Sequence, residues 1–175
     1  MQQPRTALAA ALATLALTSA CASLGGAGPA VKVALESRSG SAVTGTLSLQ
    51  QKDDGVRITG EVRGLAPASA HGFHVHEKGD CSAPDASSAG PHFNPMGAPH
   101  GNMMAGPHHA GDMPNIVADQ RGVAQVDILV PGATLAAGPG SISGRALVVH
   151  RDPDDYATQP AGNAGPRLAC GVIPQ

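Results

Sequence analysis

The 175-residue chain has no tryptophan, one tyrosine and two phenylalanines, and only 14% of its residues are charged, with a net charge of -2. No basic run and no aromatic cluster occurs anywhere, so the chain lacks the surface by which proteins hold nucleic acid. Cysteine is also scarce, at three residues. The longest apolar run, ALAAALATLAL at residues 7–17, is too short to cross a bilayer as a helix. What the chain does have is 42% hydrophobic residues, enough for one domain with a buried core. Twenty-three glycines and fifteen prolines favour strands joined by shaped loops over long helices.

The apolar run follows Arg5 and precedes LTSACAS, the pattern of an export signal. Two cuts fit it. Processing before Cys21 would leave that cysteine as a lipidated first residue, as in the bacterial lipobox that the segment resembles; an A-x-A cut would end at Ala22. The lipoprotein cut is preferred. It makes residues 1–20 the signal, 21–30 a flexible linker and 31–175 the domain, anchored to a membrane in the periplasm or cell envelope. Cysteine arithmetic agrees, because setting Cys21 aside leaves Cys81 and Cys170 as a candidate disulfide. Such a bond persists outside the cytoplasm, and closing a loop of this length would stabilise the fold by about 4 to 5 kcal/mol. The alternative is a pair of buried free thiols.

Apolar residues alternate through Val31, Val33 and Leu35, then Val43, Leu47 and Leu49, then Val56, Ile58 and Val62. Turn sequences RSGS and KDDG separate these segments, which predicts antiparallel strands with one buried face in a sandwich or barrel. Ala124, Val126, Ile128 and Val130 alternate again, and RALVVH at 145–150 is nearly continuously apolar up to His150. Between Glu77 and Asn115 neither period appears. Four of the eight histidines and six of the fifteen prolines lie there, and a loop so long within a compact domain is usually functional or disordered.

The stretch HGFHVHE at residues 71–77 holds three histidines. On a strand, His74 and His76 would share a face roughly 7 Å apart while Phe73 and Val75 point the other way. Alone, this pattern is equally a pair of hydrogen-bonded surface histidines. The long loop adds His92, His100, His108, His109 and Asp112, and three histidines with one carboxylate would make a closed, structural zinc site. His74, His76 and His150 form a second, imidazole-rich set of the kind that suits copper.

The strings HGFHVHEKGDC, SAGPHFNP, HAGDMPNI, LVVH and GNAGPRLACGVI, in this order from residue 71 onward, together resemble the copper/zinc superoxide dismutases. The resemblance implies an all-β, immunoglobulin-like Greek-key β-barrel or sandwich of eight strands with two long active-site loops. It implies copper held by His74, His76, His92 and His150, and zinc by His92, His100, His109 and Asp112, so that His92 is shared. Arg167 matches the arginine that attracts the substrate anion, and Asp154 the aspartate linking ligand histidines of the two metals, although Asp155 stands beside it. Cys81 and Cys170 match the bacterial form of the family disulfide. The implied reaction converts superoxide to dioxygen and hydrogen peroxide as copper cycles between Cu(II) and Cu(I), with His92 carrying a proton.

His71 fits the strings as a packing residue, His108 as solvent-facing, and Met96, Met103, Met104 and Met113 as loop packing. Ala161 stands where the family often has threonine, and residues 152–166 contain neither lysine nor glutamate, so the charges that steer the substrate differ from those of the eukaryotic enzymes. A copper-delivery protein and a purely structural lipoprotein are the competing classes. Neither needs an arginine beside a full ligand set. Monomer and homodimer are both open.

Overall fold

The computed structural model describes residues 28–175. Nine strands form among them: β1 Val31–Ser37, β2 Thr44–Lys52, β3 Gly55–Arg63, β4 Ala70–His71, β5 Phe73–His76, β6 Ile116–Val117, β7 Val123–Pro131, β8 Ala146–His150 and β9 Arg167–Val172. There is no α-helix among the described residues, only a three-residue 3-10 turn at Ser87–Ala89. Residues 1–20 and Cys21, which carry the export and lipidation expectations, lie outside the described residues.

Seven strands make one antiparallel sheet in the order β5-β8-β9-β1-β2-β3-β7, and β4 pairs with β6. The KDDG turn joins β2 to β3 with Lys52 opposite Gly55, and the RSGS turn joins β1 to β2 through Ser39 and Gly40, both at positive φ. The alternation read in the sequence is the buried face: Val33 and Leu35, Leu47 and Leu49, Val56, Ile58 and Val62, and Ala124, Val126 and Val130 all enter one core. Phe73 and Val75 of β5 join the same cluster as Val126 and Val130 of β7. Residues from opposite edges of the sheet therefore share one core, so the sheet curls around it, and the chain crosses over between β3 and β5 and between β7 and β8.

One strand more than expected arises at Gly72, which splits the HGFHVHE segment between two pairings. Its N–H donates to the Asp152 carbonyl at 2.9 Å and its own carbonyl accepts from His150 N at 2.8 Å, so the chain leaves β6 and takes up β8. A side chain here would press on Ala164 Cβ at 2.8 Å and His74 Cε1 at 3.1 Å.

The far edge of β5 is not open to water. The long loop lies against it: Val75 N donates to Gly111 O at 2.9 Å, Phe93 N to Val75 O at 2.8 Å, and Gly111 N to Phe93 O at 2.8 Å. With the loop paired along this edge, all four residues of β5 are buried, where a simple edge strand would expose alternate ones. β8 is likewise buried throughout. Leu147 and Val149 face the main core, while Ala146 and Val148 pack with Ala86, Ala89 and Cys170 in a smaller cluster beneath the loop. Cys81 and Cys170 form a disulfide with Cα atoms 5.8 Å apart, closing 89 positions of chain beside that cluster.

Candidate metal centre

Strand period sets the first part of the site. Phe73 and Val75 go to the core, which leaves His74 and His76 together on the opposite face of β5, and β8 brings His150 alongside. The loop residue His92 pairs with His76, and Asp112 with His74, in isolated bridges along the same strand. Two clusters result. One ligand-type atom from each of His74, His76, His92 and His150 lies within 4.8 Å of the others, and the same holds for His92, His100, His109 and Asp112. All seven residues are buried.

The outer hydrogen bonds decide which ring atom faces inward. His76 Nδ1 donates to Gly90 O at 2.8 Å and His150 Nδ1 to Gly165 O at 3.1 Å; carbonyls only accept, so both Nε2 atoms carry lone pairs. Those two Nε2 atoms face each other at 3.3 Å, a contact in which neither has a proton to give. Asp154 accepts from His74 Nε2 at 2.8 Å through Oδ2 and from His100 Nε2 at 2.9 Å through Oδ1. This leaves His74 Nδ1 and His100 Nδ1 facing inward.

Four buried ring nitrogens, His74 Nδ1, His92 Nε2, His100 Nδ1 and His109 Nδ1, have no hydrogen-bond partner. An unpaired buried polar atom is costly, and four aimed at two common centres have one economical explanation, which is a cation at each. In the second cluster, Asp112 Oδ1 lies 2.8 Å from His92 Nδ1, 3.1 Å from His100 Nδ1 and 3.3 Å from His109 Nδ1. Ligands at about 2.0 Å around a tetrahedral zinc stand about 3.3 Å apart, so the donor set fits that ion. The four-imidazole set fits copper.

Burial pushes the imidazoles of His74 and His76 well below the ordinary histidine value and that of His150 down to about 4; His109 moves the same way for the same reason. Their lone pairs are free for a metal at neutral pH. Burial would raise the Asp112 carboxyl, but hydrogen bonds from His92 and from the backbone N–H groups of Gly101 and His109 hold it below the usual carboxylate range.

Arg167 opens β9 at the wall of a cavity of about 500 Å³ that is also lined by His76, His92 and His150. Its two terminal nitrogens donate to Ala86 O at 2.6 Å and Gly90 O at 2.7 Å, which fixes the guanidinium beside the four-histidine cluster. Pro160 and Ala161 line the cavity too, so the second loop presents no charge of its own there.

Asp154 is buried between the clusters, whereas Asp155 is exposed and holds a turn through Thr158, Ala157 N and Asn163. His71 lies outside both sets, bonded to the His150 carbonyl at 2.9 Å and Ser69 Oγ at 2.6 Å. His108 is half-exposed and bonds Gly106 O. Loop packing by methionine holds for Met113 and Met103 but not for Met96 and Met104, which are 83% and 77% exposed because the loop turns them out over irregular backbone. The residues without a signal in the sequence are Gly90 and Gly165, which act through carbonyls, and Asn115, whose side chain donates to Asp154 O at 2.9 Å and accepts from Asp154 N at 2.8 Å. Gly162 is another: at φ +63 it sits where any side chain would overlap Asp154 Oδ1 and His100 Nε2.

A family model described as copper/zinc superoxide dismutase (SODC) matches residues 43–173. Superoxide dismutase (Cu-Zn) 2 of Aquifex aeolicus (strain VF5) is 46% identical over 135 residues, which cover 75% of this chain and 79% of the relative. The extracellular superoxide dismutase (Cu-Zn) of Brugia pahangi is 44% identical over 140 residues, 75% of this chain and 69% of the relative. Among solved structures, a SOD-like protein from Bacillus subtilis superposes with a TM-score of 0.71 at 38% identity, covering 81% of this chain and 97% of that one. With two metal-shaped clusters on a curled antiparallel sheet and a family match over most of its length, the chain belongs to the copper/zinc superoxide dismutase family.

Proposed function

We propose that this superoxide dismutase holds copper through His74 Nδ1, His76 Nε2, His92 Nε2 and His150 Nε2, and zinc through His92 Nδ1, His100 Nδ1, His109 Nδ1 and Asp112 Oδ1. Superoxide is the substrate, and dioxygen and hydrogen peroxide are the products. When bound, copper supplies a one-electron couple between Cu(II) and Cu(I), and zinc a fixed positive charge. The chain's own residues do the rest. Arg167, tied to two carbonyls, keeps a second N–H on each terminal nitrogen and draws the small anion into the cavity. His92 is the one ring in both sets, and because its buried Nε2 has a single lone pair, it would hold a proton, to be passed to the reduced substrate as peroxide forms, only while it is not holding copper. Asp154 keeps His74 and His100 in the tautomers that the two ions need.

The observation that carries this reading is the set of four buried, unpartnered ring nitrogens converging on two centres. Metal analysis and copper EPR on the purified protein, with a superoxide assay before and after copper chelation, test it. One copper and one zinc per chain, with activity lost on chelation, is expected; full activity in metal-free protein would refute it.

The same reading places the protein outside the cytoplasm, with residues 1–20 as export signal and Cys21 as a lipidated anchor on the 21–30 tether. The sequence of residues 7–22 supports it, as does an extracellular relative. Cys21→Ser should move the protein from the membrane to the soluble fraction, and a variant that stays with the membrane would refute the anchor.

A further inference from the structure

Two irregular loops, residues 77–115 and 151–166, carry everything in the site that the strands do not. Neither has a regular ladder to fix it against the other, so specific bonds must. Two side-chain amides supply them, one in each direction. Asn115, in the first loop, grips the backbone of Asp154 in the second. Gln159, in the second, grips the backbone of His100 in the first: its Nε2 donates to His100 O at 2.9 Å and its Oε1 accepts from His100 N at 2.9 Å. The circuit closes through the gripped residues themselves, because His100 Nε2 donates to Asp154 Oδ1 at 2.9 Å.

A carboxamide that meets both the N–H and the C=O of one residue imitates a neighbouring strand, and so fixes the direction of that backbone as well as its position. His100 has no other such support. His92 lies in a bridge with His76, and His109 N donates to Asp112 at 2.8 Å within its own turn. Both backbone polar groups of His100 are instead satisfied by Gln159, a residue that is itself exposed and has no part in either cluster.

We propose that Gln159 is a positioning residue for the zinc cluster, seating His100 through its backbone so that Nδ1 faces Asp112 Oδ1. This rests on the reading of His100 as a zinc ligand. Gln159→Ala removes both bonds. Gln159→Glu keeps the length and can still accept from His100 N–H, but sets a carboxylate oxygen against the His100 carbonyl.

The measurements, on the full metallated protein, are the rate at which a chelator strips zinc, the visible spectrum of Co(II) put in place of zinc, and the copper EPR signal. Both variants should lose zinc about tenfold faster or more, the loss seen when ligand-orienting contacts are removed, with a changed Co(II) spectrum. The copper signal should stay, since Asp154 is still held by Asn115. Thr158→Val, which breaks a Thr158–Asp155 bond in the same loop at 2.7 Å without touching His100, should leave the zinc rate unchanged. Wild-type zinc rates and Co(II) spectra in both Gln159 variants would overturn the proposal, as would a Thr158→Val effect of equal size, which would mean loop stiffness alone. His100→Ala separates the two readings. If it still holds one zinc, the ligand assignment fails; if it loses zinc while the Gln159 variants keep it, only this inference fails.

Discussion

Replacing Asp154 with asparagine should separate the two metals. Asp154 is 3% exposed and makes three side-chain hydrogen bonds. Its Oδ1 accepts from His100 Nε2 at 2.9 Å and from the backbone N–H of Tyr156 at 2.7 Å, while its Oδ2 accepts from His74 Nε2 at 2.8 Å. Asparagine has one acceptor oxygen and one donor nitrogen, and two donors already point at the Oδ1 position. The oxygen therefore stays there, and the new N–H group lands opposite His74. That ring must either lose its partner and tilt, or move its proton to Nδ1 and cover the lone pair meant for the ion. Both outcomes fall on the four-histidine cluster. Outer contacts of this kind are worth about 10- to 100-fold in metal affinity, which is about 1.4 to 2.8 kcal/mol.

Copper binding in Asp154→Asn should weaken by that factor, with zinc held within about threefold because the His100 bond survives. Asp154→Ala removes both bonds and should weaken both metals. Competition titrations with chelators of known affinity, run separately for copper and zinc, measure each, and copper EPR reports the tilt of His74. Equal losses for the two metals in the asparagine variant, or a larger loss of zinc, would refute the assignment of Oδ1 to His100 and Oδ2 to His74.

Arg167→Ala should lower kcat/KM for superoxide by about tenfold and flatten its dependence on ionic strength; an unchanged salt slope in stopped-flow assays would remove Arg167 from substrate attraction. In the metal-free protein, burial holds His150 down to about 4, against an ordinary 6.5, and His74 and His76 also well below it. Between those values the unfolded chain binds protons that the folded chain refuses, so the stability present above about pH 6.5 should be lost as pH falls towards about 4. Urea midpoints of metal-free protein that rise as pH falls through that window would contradict the burial of these rings. The double change Cys81→Ser with Cys170→Ser, opening 89 positions of chain, should cost about 4 to 5 kcal/mol by denaturant unfolding. A cost below about 1 kcal/mol would mean that the unfolded chain is already restrained without the bond.

The strands were legible because a curled sheet with one buried face imposes period two, and Val33, Leu47, Ile58 and Val126 keep it. The loop was legible only as an interval without period. Its histidines could be sorted into two sets by family resemblance, but nothing in the letters HGNMMAGPHHAGD says that His100 and His109 turn inward while His108 does not. The backbones of the two inward residues are held by Gln159 and Asp112, through bonds that span 59 positions in one case and three in the other. Asp154 and Asp155 are likewise equivalent as letters. The neighbours separate them: Asn115 draws the backbone of Asp154 inward, and Gly162 leaves room for its carboxylate beside His100. Gly90 and Gly165 orient His76 and His150 through carbonyls that every residue has, so no side-chain signal could announce them.

The two clusters differ in what holds them, and this follows from where the chain has ladders. Three of the histidines in the His74, His76, His92 and His150 set stand on β5 and β8, paired along four registered positions, so their spacing is fixed by the sheet. The set of His92, His100, His109 and Asp112 comes wholly from the loop, whose described apolar residues in the core are few, chiefly Phe93 and Met113. A loop of that length cannot recover its ordering entropy from so little burial. Carboxylate bonds, the Gln159 and Asn115 clamps and the ion itself must make up the difference. Among the described residues, His92 belongs to both sets and Asp154 bonds a ring of each, His74 through Oδ2 and His100 through Oδ1. Order in the loop therefore reaches the four-histidine set through these two residues, which fix where His92 and His74 stand.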